Sequence, residues 1–159
     1  MAFKILRKIS RFCFRNWYLY RFLWLEKGRH RQVVVGKLIR FNVPVRGGGE
    51  GTLIIGNRNS FGFCLAPRQG TGEILLQARH PDAKIVIGEA NVFNNNFSMI
   101  ANDQITIGNG CQIGELVTIY DCDFHEIDPL TRNHSAGLTK PVIIAITYGW
   151  AAASWFSKA

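Results

Sequence analysis

Between residues 36 and 120 the chain alternates short aliphatic runs with Gly/Asn-rich corners: KLIRFNVPV, GTLIIGNRNSFGF, GEILLQA, AKIVIGEANVF and QITIGNGCQIGELVTI. No amphipathic helix of ordinary length fits this stretch, which predicts β structure with frequent tight turns. Within it the apolar residues keep a beat of six. Ile87, Phe93, Met99 and Ile105 hold one phase, and Ile107, Ile113 and Ile119 hold another after a two-residue offset. Ile55 and Phe61 mark an earlier turn, and Ile-Gly pairs recur at 55–56, 87–88, 107–108 and 113–114. A short strand with a sharp corner takes about six residues, and three such sides close a coil of about eighteen. The pattern predicts a parallel β-helix over 36–144, with Gly and Asn at the corners. Ile87-Gly88 to Ile107-Gly108 is one coil plus two residues, and one coil after Ile107 falls at His125.

A different pattern precedes it. In FKILRKISRFCFRNWYLYRFLWLEKGRHR, Lys4, Arg7, Lys8, Arg11 and Arg15 fall at helical spacing beside an apolar stripe of Phe3, Leu6, Ile9, Cys13 and Trp17. This predicts an amphipathic helix over roughly 3–25 within a basic segment, 1–35. Charge sharpens the division. The 159 residues carry a net charge of +8, and residues 1–31 alone hold nine Lys/Arg against one acid, Glu26; the remainder balances. Arginines interrupt every apolar run well short of the roughly 20 residues a membrane span needs. No apolar core or small-residue cleavage site marks a signal peptide. A basic helix rich in Trp, Tyr and Phe suits an anionic membrane surface at the inner, cytoplasmic face. Packing on its own domain or on a neighbouring subunit is the equal alternative. No nucleic-acid recognition motif follows the basic segment.

The four cysteines, 13, 64, 111 and 122, form no CxxC pair and no zinc-like spacing with histidine, which predicts reduced thiols in a cytoplasmic protein and no metal. His80, His125 and His134 do not have the spacing of a three-histidine zinc site.

Two stretches, NNNFSMIANDQITIGNGCQIG and DFHEIDPLTRNHSAGLTKPVII, resemble the hexapeptide-repeat acyltransferases, within them the maltose/galactoside O-acetyltransferase-like group. The likeness runs from about Ile85 to Ile144. It implies an all-β, left-handed parallel β-helix, an exception to the usual right-handed crossover. It implies a homotrimer that moves acetyl from acetyl-CoA to a sugar hydroxyl, in polysaccharide or lipopolysaccharide modification.

The second stretch forms a His loop, 121–140. His125, Asp128-Pro129 and Arg132-Asn133 match the group's pattern, and the resemblance gives His125 the role of catalytic base. A sugar hydroxyl is a poor nucleophile at neutral pH, and an imidazole within reach can take its proton as it attacks a thioester. Asp123, Glu126 and Asp128 are candidates to orient that imidazole; His134 is a candidate to orient the loop. In the first stretch the acceptor-binding Asn maps onto Asn94, twelve residues before the Thr-Ile-Gly, with Asn96 beside it. Amides can hold sugar hydroxyls without adding charge. The alternative is an asparagine ladder filling corners. The group's acidic residue eight positions on is Asn102 here, next to Asp103, which with Arg132 completes the acceptor-side candidates. No Cys or Ser lies in a recognisable nucleophile motif, so direct transfer is expected; Cys122 is the residue that would contradict it.

After Ile144 the group's pattern breaks into AITYGWAAASWFSKA. Restoring one base before the codon of Ala145 permits a reading G-N-N-V-W-L-G-S-S-K-L-V-L-K-G, a good hexapeptide coil. Residues 145–159 are therefore expected to be an out-of-frame tail; the alternative is a genuine, divergent C-terminal cap. The group's CoA site lies largely in later coils, so impaired activity is expected. The alternative is a catalytically inactive β-helix remnant, or a membrane- or partner-binding module.

Overall fold

The computed structural model describes residues 2–26, 32–63, 72–126, 128–130, 132 and 137–145. His30, Cys64, Asn133, His134 and residues 146–159 lie outside the described residues. The described residues begin with helix α1 (Ala2–Glu26), and every later element among them is a strand. In order these are β1 (Gln32–Val35), β2 (Arg40–Phe41), β3 (Val45–Arg46), β4 (Thr52–Ile55), β5 (Ser60–Phe61), β6 (Ile74–Ala78) and β7 (Lys84–Ile87). There follow β8 (Val92–Phe93), β9 (Ser98–Ala101), β10 (Gln104–Ile107), β11 (Gln112–Ile113), β12 (Thr118–Tyr120) and β13 (Val142–Ile144).

Successive strands enter three sheets in rotation. The first sheet is β1-β4-β7-β10-β13, the second β2-β5-β8-β11, the third β3-β6-β9-β12, and every ladder is parallel. This is consistent with a parallel β-helix. All the residues of the six-residue beat are buried. A coil takes twenty residues rather than eighteen: Ile85 pairs with Ile105, Phe93 with Ile113, Met99 with Ile119. The extra two come from the first sheet, whose strands put two side chains inward, as Ile85 with Ile87 and Ile105 with Ile107. That explains the phase offset. Gln32–Val35, placed with the basic segment by its sequence, already pairs with β4.

Each corner from the first sheet to the second turns through a left-handed residue: Leu38, Arg58, Ala90 and Gly110, with φ of 60°, 60°, 58° and 69°. For a side chain that conformation costs about 1–2 kcal/mol, so something must offset it. At Arg58 and Ala90 the buried asparagine that follows does. Asn59 donates through Nδ2 to Gly56 O (2.8 Å) and Gly88 O (2.7 Å), while its Oδ1 accepts from Asn91 N at 2.8 Å. Asn91 Oδ1 in turn accepts from Cys111 N at 2.7 Å. One side chain thus ties two coils together at the place where the backbone leaves the ladder.

The core is aromatic at its N-terminal end. Phe41, Phe61 and Phe93 form a column on consecutive strands of the second sheet, Phe41 edge-on to Phe61 at 5.1 Å and Phe61 stacked on Phe93 at 4.8 Å, and Phe97 sits 5.0 Å from Phe93. Phe22 of α1 closes the column edge-on against Phe41 at 5.3 Å. Tyr18, Leu19 and Leu23 pack beside it. The C-terminal half of α1 therefore covers the open end of the stack, which would otherwise expose apolar side chains and unpaired edges. No helix of the described residues is long and apolar enough to cross a membrane.

Candidate active site

One coil after Ile107 the chain does not reach His125; Ile107 pairs with Ile144 instead. Between β12 and β13 the described residues leave the stack, and the base of this loop is built by three local devices. Asp121, 2% exposed, turns its carboxylate inward, accepting from Asn102 N and Asp103 N at 2.7 Å each. Asp123 N donates to Leu138 O (3.0 Å), Lys140 N donates to Asp121 O (2.9 Å), and Cys122 bridges Thr139 in antiparallel fashion. Gly137 lies so close to the outgoing arm that a Cβ there would collide with the carbonyls of Asp123 and His125. The loop is thus a clamp with two arms, 121–123 and 138–140, and His125 projects just beyond it.

Phe124 anchors the arm to the third sheet. Its ring meets Tyr120 edge-on at 4.9 Å, and the Arg79 guanidinium lies 4.5 Å over it. Arg79 is held by its Nε, which donates to Gln77 Oε1 at 3.0 Å. With Phe124 turned to the sheet, His125 is left exposed. No side chain of the described residues hydrogen-bonds its imidazole, so none of Asp123, Glu126 and Asp128 is seen orienting it. Asp128 shapes the far part of the loop: its Oδ1 accepts from Leu130 N at 2.9 Å, and its carbonyl accepts from Arg132 N at 2.9 Å. Arg132 is exposed there.

The acceptor-side residues divide between two edges of the third sheet. Asp103 lies at the end of β9, bonded through its N–H to Asp121 and so next to the base of the His loop. Asn94 and Asn96 lie at the opposite end, in the corner before β9. Asn94 Oδ1 accepts from Asn95 N (2.8 Å), and Asn96 is left-handed at φ 56°, its Nδ2 3.4 Å from Glu115 Oε1. The four residues of β9 make about 13 Å of strand, so one chain does not bring Asn94 and Asn96 to His125. The buried member of this corner is Asn95, whose Oδ1 accepts from Phe63 N at 2.8 Å. The asparagine ladder exists, but on Asn59, Asn91 and Asn95.

Cys122 is 8% exposed. Burial, with the Asp121 charge adding to it and Arg79 opposing, pushes its thiol up to about 11. A thiol so placed is almost wholly protonated at neutral pH and is a poor nucleophile. Three side chains of structural consequence are not singled out by the sequence pattern: Asp121, Phe124 and Arg79. An acid at a strand end, an aromatic in a loop and an isolated Arg carry no periodic signal. Comparison of the chain with protein-family models, curated proteins and solved structures finds no match.

Proposed function

We propose that the protein is a CoA-dependent O-acetyltransferase acting on a sugar hydroxyl, on a left-handed β-helix. The observation that supports this best is the break in the strand stack at one corner: a clamped loop carries His125 to the edge of the third sheet, followed by Asp128-Pro129 and Arg132. In this reading the His125 imidazole takes the proton of the acceptor hydroxyl as its oxygen attacks the thioester carbonyl of acetyl-CoA. The tetrahedral intermediate collapses by breaking the C–S bond, and the leaving thiolate recovers the proton from His125. The raised Cys122 thiol supports direct transfer over an acyl-cysteine route.

The separation of Asn94 from His125 supports assembly as a homotrimer, with the Asn94 edge of one copy facing the His125 edge of the next. The test is sugar-dependent release of CoA from acetyl-CoA across a panel of saccharides. His125→Ala should lower it about a hundredfold or more. Absence of CoA release with every sugar, with the loop intact, would leave the reading as an inactive β-helix module.

A second reading of the same chain, peripheral docking on an anionic membrane, is favoured by the outer face of α1. Opposite Phe22 the helix presents Leu6, Ile9, Cys13, Trp17, Tyr20 and Trp24 at successive three- and four-residue steps, all exposed, with Trp24 at 81%. Lys8 and Arg11 are exposed on the same helix. An apolar stripe with aromatic anchors, on a helix whose Lys8 and Arg11 lie on its other side, fits the headgroup boundary of anionic lipids. Flotation with phosphatidylserine vesicles, lost in Trp17→Glu/Trp24→Glu and absent with neutral vesicles, is expected. A loss of self-association in that variant without any vesicle binding would instead assign the stripe to a second copy.

A further inference from the structure

A cavity of about 410 Å³ opens far from the His loop, between α1 and the outer face of the second sheet. Its wall is one row across three strands. Arg40, Ser60 and Val92 are register partners on β2, β5 and β8, and all face outward. Arg58 lines it from the adjoining corner, Leu38 adds an apolar edge, and Arg15 of α1 faces the row. Three arginines from three separate elements therefore line one space.

Two of the three are not neutralised. Arg58 gives one nitrogen to Glu89, with Nη2 2.7 Å from Oε2. No acid of the described residues pairs with Arg15 or Arg40. Arg15 Nε is buried and has no hydrogen-bond partner. A buried donor without an acceptor costs about 1–3 kcal/mol, and a guanidinium donor is satisfied best by an oxyanion. Ser60 Oγ accepts from Asn42 Nδ2 at 3.2 Å, which leaves its hydroxyl hydrogen to donate elsewhere. The site offers fixed donors and a net positive charge, with Leu38 and Val92 as apolar surface beside them.

We propose that this cavity binds a phosphate ester: Arg15, Arg40 and the Ser60 hydroxyl hold the phosphate oxygens, and the carbon body lies against Leu38 and Val92. The proposal is independent of acetyl transfer, and its test uses no turnover. Titration calorimetry of the full chain with glycerol 3-phosphate and with dihexanoyl phosphatidic acid below its micellar concentration reads the binding directly. Glycerol serves as the uncharged control.

Arg40→Gln removes an exposed cation whose loss leaves the fold intact, and should weaken binding about tenfold. Ser60→Ala should weaken it less. Arg46→Gln, an exposed cation paired with Glu73 elsewhere, should leave it unchanged. Equal binding of both esters assigns a soluble phosphate ester. Binding of the phosphatidic acid alone assigns a lipid headgroup. Binding of neither ester, or equal weakening in Arg40→Gln and Arg46→Gln, overturns the proposal.

Discussion

Replacing Asp121 by Ala should detach the His loop from the stack before it unfolds the stack itself. The carboxylate accepts two backbone N–H groups, from Asn102 and Asp103, at 2.7 Å each. Hydrogen bonds to a charged acceptor contribute about 1.5–3 kcal/mol each. Asp103 is exposed, so its freed N–H recovers water, and the lower end of that range applies. The expected loss is therefore about 3 kcal/mol for Asp121→Ala. Asp121→Asn keeps one oxygen but turns an amide NH2 toward an N–H, so about half the loss is expected. The assay is urea unfolding with amide exchange. The midpoint falls in that order, and the amides of Asn102, Asp103, Asp123 and Lys140 exchange faster, while those of β7 and β8 keep their protection relative to global stability. A loss below about 1 kcal/mol in Asp121→Ala, or unchanged exchange at Asp123 and Lys140, would refute the account of how His125 is held.

Three other perturbations probe different parts of the molecule. Phe61→Ala opens the middle of the aromatic column, where Phe61 is fully buried between Phe41 and Phe93; a loss of about 3–5 kcal/mol in urea is expected, and a loss under about 1 kcal/mol would contradict the packing. Cys122, its thiol raised to about 11, holds a thiolate fraction of about a thousandth at pH 8. Iodoacetamide followed by peptide mapping should therefore label exposed Cys13 first, with Cys122 labelling climbing steeply above pH 9–10. Rapid labelling of Cys122 at pH 8 would reopen the acyl-cysteine route. If the site is shared between copies, coexpressing His125→Ala with Asn94→Ala chains should restore about a quarter of wild-type turnover, since one in four edges pairs two intact residues. No restoration places both residues' roles within one chain.

The strand stack was legible because a side chain can point inward only once per short strand. A beat of six at Ile87, Phe93 and Met99 leaves few alternatives to a coil. What the beat hides is strand length. The first sheet's strands hold two inward side chains, so the coil runs to twenty residues, and the chain inserted between β12 and β13 lengthens the next one further, so that Ile107 meets Ile144 and not His125. The half-burial of α1 was legible as an amphipathic pattern, but not which face turned in; Phe22 decided it by completing a column whose other members stand far along the chain. Corner asparagines read alike in sequence. Only the fold separates Asn95, buried and bonded to Phe63, from Asn94 and Asn96.

The same packing explains why the His loop leaves where it does. At the N-terminal end each coil is tied to the next by a phenylalanine inside and an asparagine at the corner. Both series end together: Ile113 follows Phe93, and Cys111 follows Asn91. Asn91 Nδ2 has no partner, whereas Asn59 Nδ2 reaches the carbonyls of Gly56 and Gly88, and Ile113 is already 8% exposed. Cohesion between coils therefore falls toward β11 and β12, and the chain can depart there at small cost to the core. A loop leaving a weakly tied coil needs its own anchor. Asp121, Gly137 and the Phe124–Arg79 contact supply it around His125. The histidine is thus positioned by local hydrogen bonds and one ring contact rather than by the ladder. For that reason the Asp121 variants, more than any substitution in the core, should move the loop without moving the stack.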